Sequence, residues 1–144
     1  MAGVPGTGKT FDVSLVTPEG AAFEGRAQML IVPGQIGEIG VLARHAPLIA
    51  TLKAGSTRIH RGDNEDVLVF ATGPGFFQVL QDRAIALVDD AVLANDIDEE
   101  RARGQLEAAK EELEAIERGE STADRWQIEQ RIRHAENQLT VAGR

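Results

Sequence analysis

Residues 1–95 carry apolar side chains in short runs that are separated by glycine, proline and acidic turns. In Phe11–Val16 the odd-numbered positions are apolar, which is the period of a β-strand. Ala27–Ile31 repeats that period, again with its apolar face on the odd-numbered residues. Because such runs leave no room for helical crossovers, the pattern predicts an antiparallel β-sandwich rather than a parallel α/β sheet. Further runs with strand character cover 37–42, 57–60, 67–71, 76–80 and 84–88.

From Asp96 onward the apolar period becomes that of a helix. Asp96 with Glu99 predicts a capping box for the first helix, and Arg118–Gly119 predicts its end. Ser121 or Thr122 is expected to cap a second helix. A loop of about three residues then predicts an antiparallel two-helix hairpin. The apolar stripes that support both helices are Ala102, Leu106, Ala109, Leu113 and Ile116 on the first, and Ile128, Ile132, Ala135 and Leu139 on the second.

Composition changes where the period changes. Residues 1–95 hold 12 of the 15 glycines and all five prolines, whereas 96–144 contain 21 charged residues in 49. The fold class expected is therefore mainly β plus α. It has three parts: a flexible N-terminal extension over 1–10, a β-sandwich domain over 11–95 and a helical hairpin domain over 96–144. The stripes of the hairpin are narrow, so at roughly 25 cal/mol per Å² their burial stabilises it by only a few kcal/mol.

Charge and composition narrow the range of functions. The net charge of -8 argues against a nucleic-acid partner. The chain has no cysteine, which removes disulfides and thiol catalysis. Its apolar runs are much shorter than a membrane span, so direct membrane insertion is not expected. The three histidines have no metal-ligand spacing, and we expect no metal and no required cofactor.

The N-terminal residues Gly3–Thr10 read GVPGTGKT, which fits the phosphate-loop pattern. In that motif a buried strand precedes the loop and a helix follows it. Here only two residues precede Gly3, and a strand pattern follows Thr10. A small nucleotide-binding enzyme that uses Gly3–Thr10 is therefore kept as an alternative, beside a chance match in a flexible terminus.

The stretch Val32–Gly55 carries a family resemblance. Its motifs are Gly37-Glu38-Ile39-Gly40, His45-Ala46-Pro47-Leu48 and Lys53-Ala54-Gly55. In their order and spacing they closely resemble the epsilon subunit of bacterial F-type ATP synthases. The likeness extends over about 11–142, where TGPGFFQV, DIDEERA and NQLTVA resemble further family motifs. It departs at Ala43-Arg44, where Pro-Gly commonly precedes the histidine, and a local change of turn is expected there.

The resemblance implies a non-catalytic accessory subunit of a proton-translocating ATP synthase. In that family the sandwich packs on the gamma subunit and the c-ring, as part of the rotor in the central stalk. The C-terminal hairpin can lie against the sandwich, or extend to the alpha and beta subunits of the catalytic head and inhibit ATP hydrolysis. The expected location is peripheral, on the cytoplasmic face of the bacterial cell membrane. A hairpin held by only a few kcal/mol suits such a two-position switch.

Two residues are candidates for partner contact. Carried over from the family, Glu38 lies in the loop that faces the c-ring, and the alternative is an ordinary turn carboxylate. His45 lies near the contact with gamma, and the alternative is a structural histidine bonded to a loop carbonyl. His45 is not expected to be a catalytic base, because no nucleophile or acidic partner accompanies it in the sequence.

Asp98 and Arg101 are candidates for regulatory ATP. They match the Ile-Asp-x-x-Arg-Ala pattern that binds ATP in some family members, and Arg101 could pair with a phosphate. They are also i,i+3 neighbours near a helix start, which is an ordinary intrahelical pair. The further arginines of those members are not in register here, where Ala108, His134 and Gln138 occupy the matching positions. Any bound ATP would hold the hairpin and would not be hydrolysed.

Overall fold

The computed structural model describes residues 9–62 and 66–143. The chain divides into two compact units, Met1–Leu93 and Ala94–Arg144. Most of the phosphate-loop-like motif, Gly3–Gly8, lies outside the described residues.

The first unit contains ten strands within the described residues. The strands are β1 Phe11–Thr17, β2 Gly20–Ala27, β3 Met29–Gly34, β4 Gly37–Leu42, β5 Leu48–Leu52, β6 Gly55–His60, β7 Val67–Thr72, β8 Gly75–Leu80, β9 Arg83–Val88 and β10 Ala91–Leu93. Their order in the sheet is β10-β7-β6-β3-β5-β8-β9-β1-β2, with β4 beside β3. All the pairings are antiparallel except that of β1 with β9, so the predicted β-sandwich class is confirmed.

Strand β1 follows its sequence pattern, but β3 does not. Phe11, Val13 and Leu15 of β1 are buried in the core as their period predicts. In β3 Leu30 and Val32 are buried, whereas Met29 and Ile31 are only partly buried, so the face predicted for Ala27–Ile31 is wrong at those two residues.

The phase of the pattern changes at Gln28, between two strands. Ala27 still pairs with β1, whereas Met29 already pairs with His60 of β6. The N–H of Gln28 donates to the carbonyl of His60 at 2.7 Å. The chain therefore moves from one partner strand to another at this residue, and the inward-facing positions shift by one.

The second unit is a helical hairpin. A short 3₁₀ turn, Ala94–Asp96, precedes helix α1, Glu99–Glu117, and α2 covers Arg125–Ala142. The predicted end of α1 is confirmed, since Arg118 is its C-cap and Gly119 follows with φ 75°. Both predicted N-caps are wrong. Among the described residues, no helix is long and apolar enough to cross a membrane.

The observed N-caps are Asp98 and Asp124. The carboxylate of Asp98 accepts a hydrogen bond from the N–H of Arg101 at 3.1 Å, and that of Asp124 accepts from the N–H of Trp126 at 2.9 Å. Ser121 instead accepts from the N–H of Ala123 within the loop. Asp96 ends the 3₁₀ turn that precedes α1, so the cap falls two residues later than predicted. In α2 the charged oxygen of Asp124 also interacts favourably with the positive end of the helix.

The helices pack along the stripes that the sequence predicted. Ala102 and Ala109 are the buried residues of α1. Their small side chains let the helices approach closely but bury little apolar area. Arg125 and Glu117 add an ion pair between the two helices, with 3.4 Å between Nη2 and Oε2. The buried residues of α2 are Ile128, Ala135 and Val141.

Candidate functional site: an apolar sheet face and two loops

Thr10 ends the phosphate-loop-like motif, and β1 begins at the next residue. The guanidinium of Arg26 donates to both the hydroxyl and the carbonyl oxygen of Thr10, each at 3.0 Å. It also pairs with Asp12 at 3.1 Å. A phosphate loop needs a helix at this point, with its N–H groups turned towards the anion. The strand after Thr10 contradicts that alternative.

The outer side of β5, β8 and β9 carries exposed apolar side chains. Phe76 of β8 pairs with Leu87 of β9, and Ile49 of β5 faces the same way two residues from the partner of Phe76. Ile36 lies at the tip of the β3–β4 hairpin. The exposed fractions of Ile36, Ile49, Phe76 and Leu87 are 103%, 78%, 62% and 51%. We call these four residues the apolar face.

A groove of about 750 Å³ opens between the β3–β4 hairpin and strands β5 and β8. Ile36, Ile49 and Phe76 line it, together with Glu38. Contiguous exposed apolar surface of this kind, with polar residues at its rim, is typical of a protein–protein contact. The arrangement can bind an apolar partner surface and offers one carboxylate at its edge.

Glu38 lies in strand β4, and not in the turn itself as the sequence suggested. The turn is formed by Gln35 and Ile36, since Gly34 pairs with Gly37 and Pro33 with Glu38. The Glu38 carboxylate is 2.8 Å from Nη2 of Arg58, which belongs to β6. The side chain of Glu38 is still 58% exposed. It is therefore accessible to a partner, but already carries an arginine counter-ion.

Arg58 was not anticipated from the sequence. Its Nε is buried and has no hydrogen-bond partner among the described residues. Two residues further along β6, burial lowers the pKa of His60, and the positive charge of Arg58 adds to that effect. Both side chains lie on the side of β6 opposite to the buried Ile59. A protonated His60 would therefore place its positive charge on the same side as that of Arg58.

His45 lies in the loop between β4 and β5, and we call 43–47 the His45 loop. The backbone N–H of His45 donates to the carbonyl of Leu42 at 3.2 Å. The imidazole Nδ1–H of His45 donates to the carbonyl of Ala46 at 2.6 Å. This is the structural arrangement that the sequence left open. Arg44 has φ 66° at the third position of the turn. Pro-Gly at positions 43 and 44 would fit such a turn, so the departure from the family pattern needs no different turn.

Asp98 and Arg101 lie together at the start of α1, and the contact between them involves the backbone of Arg101, not its side chain. The Asp98 carboxylate caps the helix by accepting from the N–H of Arg101. The guanidinium of Arg101 makes no ion pair within the part of the chain that the structure describes, whereas Arg103 pairs with Glu99 at 3.6 Å. The structure therefore gives Asp98 a capping role and leaves Arg101 exposed.

Comparisons with known proteins agree with this arrangement of a sandwich and a helical hairpin. A family model described as the β-sandwich domain of the ATP synthase delta/epsilon chain matches residues 10–94. The ATP synthase epsilon chain of Halalkalibacterium halodurans is 38% identical, over 94% of this chain and 98% of its own length. That of Rubrobacter xylanophilus is 37% identical, over 96% of both chains.

Solved structures share the fold. A chain of the Euglena gracilis mitochondrial ATP synthase superposes with a TM-score of 0.77 at 20% identity, covering 94% of this chain and 82% of that one. A chain of the Tetrahymena thermophila mitochondrial ATP synthase central stalk and c-ring gives 0.56 at 13% identity, over 91% and 95%.

The fold and the family match define the class: a delta/epsilon-type ATP synthase subunit, with a β-sandwich followed by two helices. The relatives that match nearly the whole chain narrow this class further. The chain belongs to the ATP synthase epsilon chain family.

Proposed function

We propose that this protein is a rotor subunit of the central stalk, which couples the gamma subunit to the c-ring and restrains ATP hydrolysis through its C-terminal hairpin. It acts as an accessory subunit with no active site of its own. It works peripherally, on the cytoplasmic face of the bacterial cell membrane. The observation that carries the coupling role is the apolar face, since Ile36, Ile49 and Phe76 stay largely exposed in the isolated chain.

The free energy that burial of the apolar face against a partner would contribute supports the coupling role. At roughly 25 cal/mol per Å² of apolar area, covering several large side chains contributes a substantial part of the free energy of association. Glu38 and the His45 loop flank β5, at opposite ends of a connected surface of β4, β5 and β8. We assign Glu38 to the side that meets the c-ring and His45 to the side that meets gamma.

The regulatory role rests on the hairpin. Among the described residues of its helices five are buried, and three of these are the small alanines at 102, 109 and 135. The packing energy available to hold the hairpin in one arrangement is therefore small. A switch between two arrangements requires them to differ by only a few kcal/mol. The hairpin can then reach the alpha and beta subunits of the catalytic head in one arrangement and leave them in the other.

We also propose, as a separate candidate, that a regulatory ATP binds weakly at the start of α1. The exposed guanidinium of Arg101 has no acidic partner among the described residues, unlike Arg103. It can therefore pair with a phosphate without first breaking an ion pair.

The test of function is ATP hydrolysis by a bacterial catalytic head that contains gamma but lacks epsilon. The head is titrated with the full chain and with a version that ends at Asn95. The truncated version retains the whole hydrophobic core of the sandwich. Saturable inhibition by the full chain, and binding without inhibition by the truncated one, would support both roles. Binding of both without inhibition would remove the regulatory role only.

A pair of variants of the full chain tests the apolar face directly. Phe76→Ser removes its central ring, whereas Gln78→Ser changes a polar neighbour on the same side of β8. We expect the first to weaken association with the head by about tenfold or more, as removal of a central aromatic side chain from an interface typically does, and the second to leave it unchanged. Equal affinities for the two variants would exclude the apolar face as the docking surface. If the unmodified chain does not associate with a matched head, the coupling role itself is wrong.

A further inference from the structure

Three residues other than glycine have positive φ among those that the structure describes. They are Arg44 at 66°, Gln81 at 51° and Asp82 at 58°. This left-handed conformation is unfavourable for them, because Cβ crowds the following carbonyl oxygen. Gln81 and Asp82 form the two-residue turn between Leu80 and Arg83, and such hairpin turns require positive φ at both positions.

Arg44 lies on a different loop and needs a different explanation. It occupies the third position of the turn that the bond from His45 to Leu42 closes, where glycine is favoured. Its N–H donates to Oδ1 of Asp82 at 2.5 Å. The carbonyl of Asp82 in turn accepts from the N–H of Asp12 of β1 at 2.9 Å. Asp82 is therefore anchored to the sandwich and holds Arg44 from outside its own loop.

We propose that Asp82 is a positioning residue, whose carboxylate holds Arg44 in the left-handed conformation and so fixes the His45 loop in the shape that docks to the gamma subunit. The identity of the partner rests on the proposed function. The hydrogen bond and the backbone conformation do not. Asp82 itself need not touch the partner, since its effect passes through the backbone of Arg44 to His45.

The chemistry of residue 82 separates its two tasks. Asp82→Asn keeps an oxygen acceptor and tolerates the left-handed turn. Asp82→Gly suits the turn but removes the acceptor. Arg44→Gly gives residue 44 the left-handed conformation without help. The double variant Asp82→Gly/Arg44→Gly should therefore restore what Asp82→Gly loses.

The experiment measures two properties of each full-length variant. The first is the NMR signals of the His45 imidazole, which report the loop without any partner. The second is the affinity for the gamma-containing head. If the loop takes the docking shape a tenth of the time in Asp82→Gly, the apparent Kd rises about tenfold. Thermal unfolding midpoints identify any variant that fails to fold, and the double variant and Asp82→Asn then provide the comparison.

The proposal expects shifted His45 signals and weaker binding in Asp82→Gly, with both restored in the double variant and unaffected in Asp82→Asn. Unchanged signals together with weaker binding would mean that Asp82 contacts the partner directly. Shifted signals with unchanged binding would mean that the loop shape does not serve docking. Either result overturns the proposal. If the unmodified chain does not bind the head while the signals still shift, the docking role fails together with the proposed function, although Asp82 still holds the loop.

Discussion

Arg58 and Glu38 form an ion pair across strand β3, with 2.8 Å between Nη2 and Oε2. Arg58 pairs in register with Ile31, and Glu38 with Pro33, so the contact is diagonal. The two side chains are 31% and 58% exposed, and solvent screens such a pair. We expect it to contribute at most about 1 kcal/mol to the free energy of unfolding.

A double-mutant cycle with Glu38→Gln and Arg58→Gln measures that coupling by urea denaturation. Arg58→Gln alone is expected to cost little, because it also removes the buried Nε that lacks a partner. The exposed pair of Arg61 and Asp66 serves as a control. A coupling energy well above the control would mean that Glu38 is a structural residue first, which would weaken its assignment to a partner contact.

A larger side chain at the contact between α1 and α2 should separate the two helices. Ala135 of α2 is fully buried, and Ala135→Leu is expected to destabilise the packed hairpin by about 1–3 kcal/mol through overpacking. Ala108→Leu makes the same chemical change at an exposed position of α1, with nearly the same helix propensity. Hydrogen exchange of the helix amides measures both. Equal protection of the helix amides from exchange in the two variants would mean that packing around Ala135 does not hold the helices together.

The cap of α2 provides a second test of the hairpin. Asp124→Ala removes the acceptor for the N–H of Trp126 and is expected to cost about 1 kcal/mol of helix stability. Ser121→Ala loses only a contact within the loop. Exchange of the Trp126 amide should therefore accelerate in the first variant and not in the second. The reverse result would restore Ser121 as the cap.

Local patterns predicted the class of each element better than its edges. Period two in Phe11–Val16 and the spacing of the helical stripes reflect burial on one face, which a single segment encodes. Strand β2, Gly20–Ala27, was missed because most of its residues are exposed and it pairs only with β1 among the described strands. Without a buried face, it has no apolar period to detect.

The contacts of the site depend on residues far apart in the chain. Arg58 meets Glu38 from 20 residues away, and Asp82 meets Arg44 from 38. Neither pair leaves a signal in its own segment, because the sheet order brings the two together. Motif resemblance identified Glu38 and His45 as candidates, but not the residues that hold them. The apolar face was missed for the same reason, since Ile49 and Leu87 become neighbours of Phe76 only through strand pairing.

Stability should depend on pH through His60. Burial and the charge of Arg58 lower the pKa of His60 below its ordinary value of 6.5. Between the folded pKa and 6.5 the unfolded chain binds more protons, so the free energy of unfolding falls as pH decreases through this range. His60→Gln should reduce the dependence of the free energy of unfolding on pH. Urea denaturation from about pH 5 to 8 measures this dependence in the unmodified chain and in the variant. Identical dependence in both would mean that the surroundings of His60 do not disfavour its charged form.

Substitutions at the start of α1 distinguish the role of a helix cap from that of an ATP contact. Arg101→Gln removes the exposed guanidinium, and if ATP binds there through one charge-assisted hydrogen bond the affinity should fall about tenfold or more. Asp98→Asn keeps an oxygen for the cap and should preserve both the helix and the affinity. Arg103→Gln is the matched control, because Arg103 pairs with Glu99. Calorimetry with ATP measures all three. Equal losses in the two arginine variants would indicate attraction by net charge alone, and no heat with the unmodified chain would remove ATP from the proposal while leaving the hairpin switch intact.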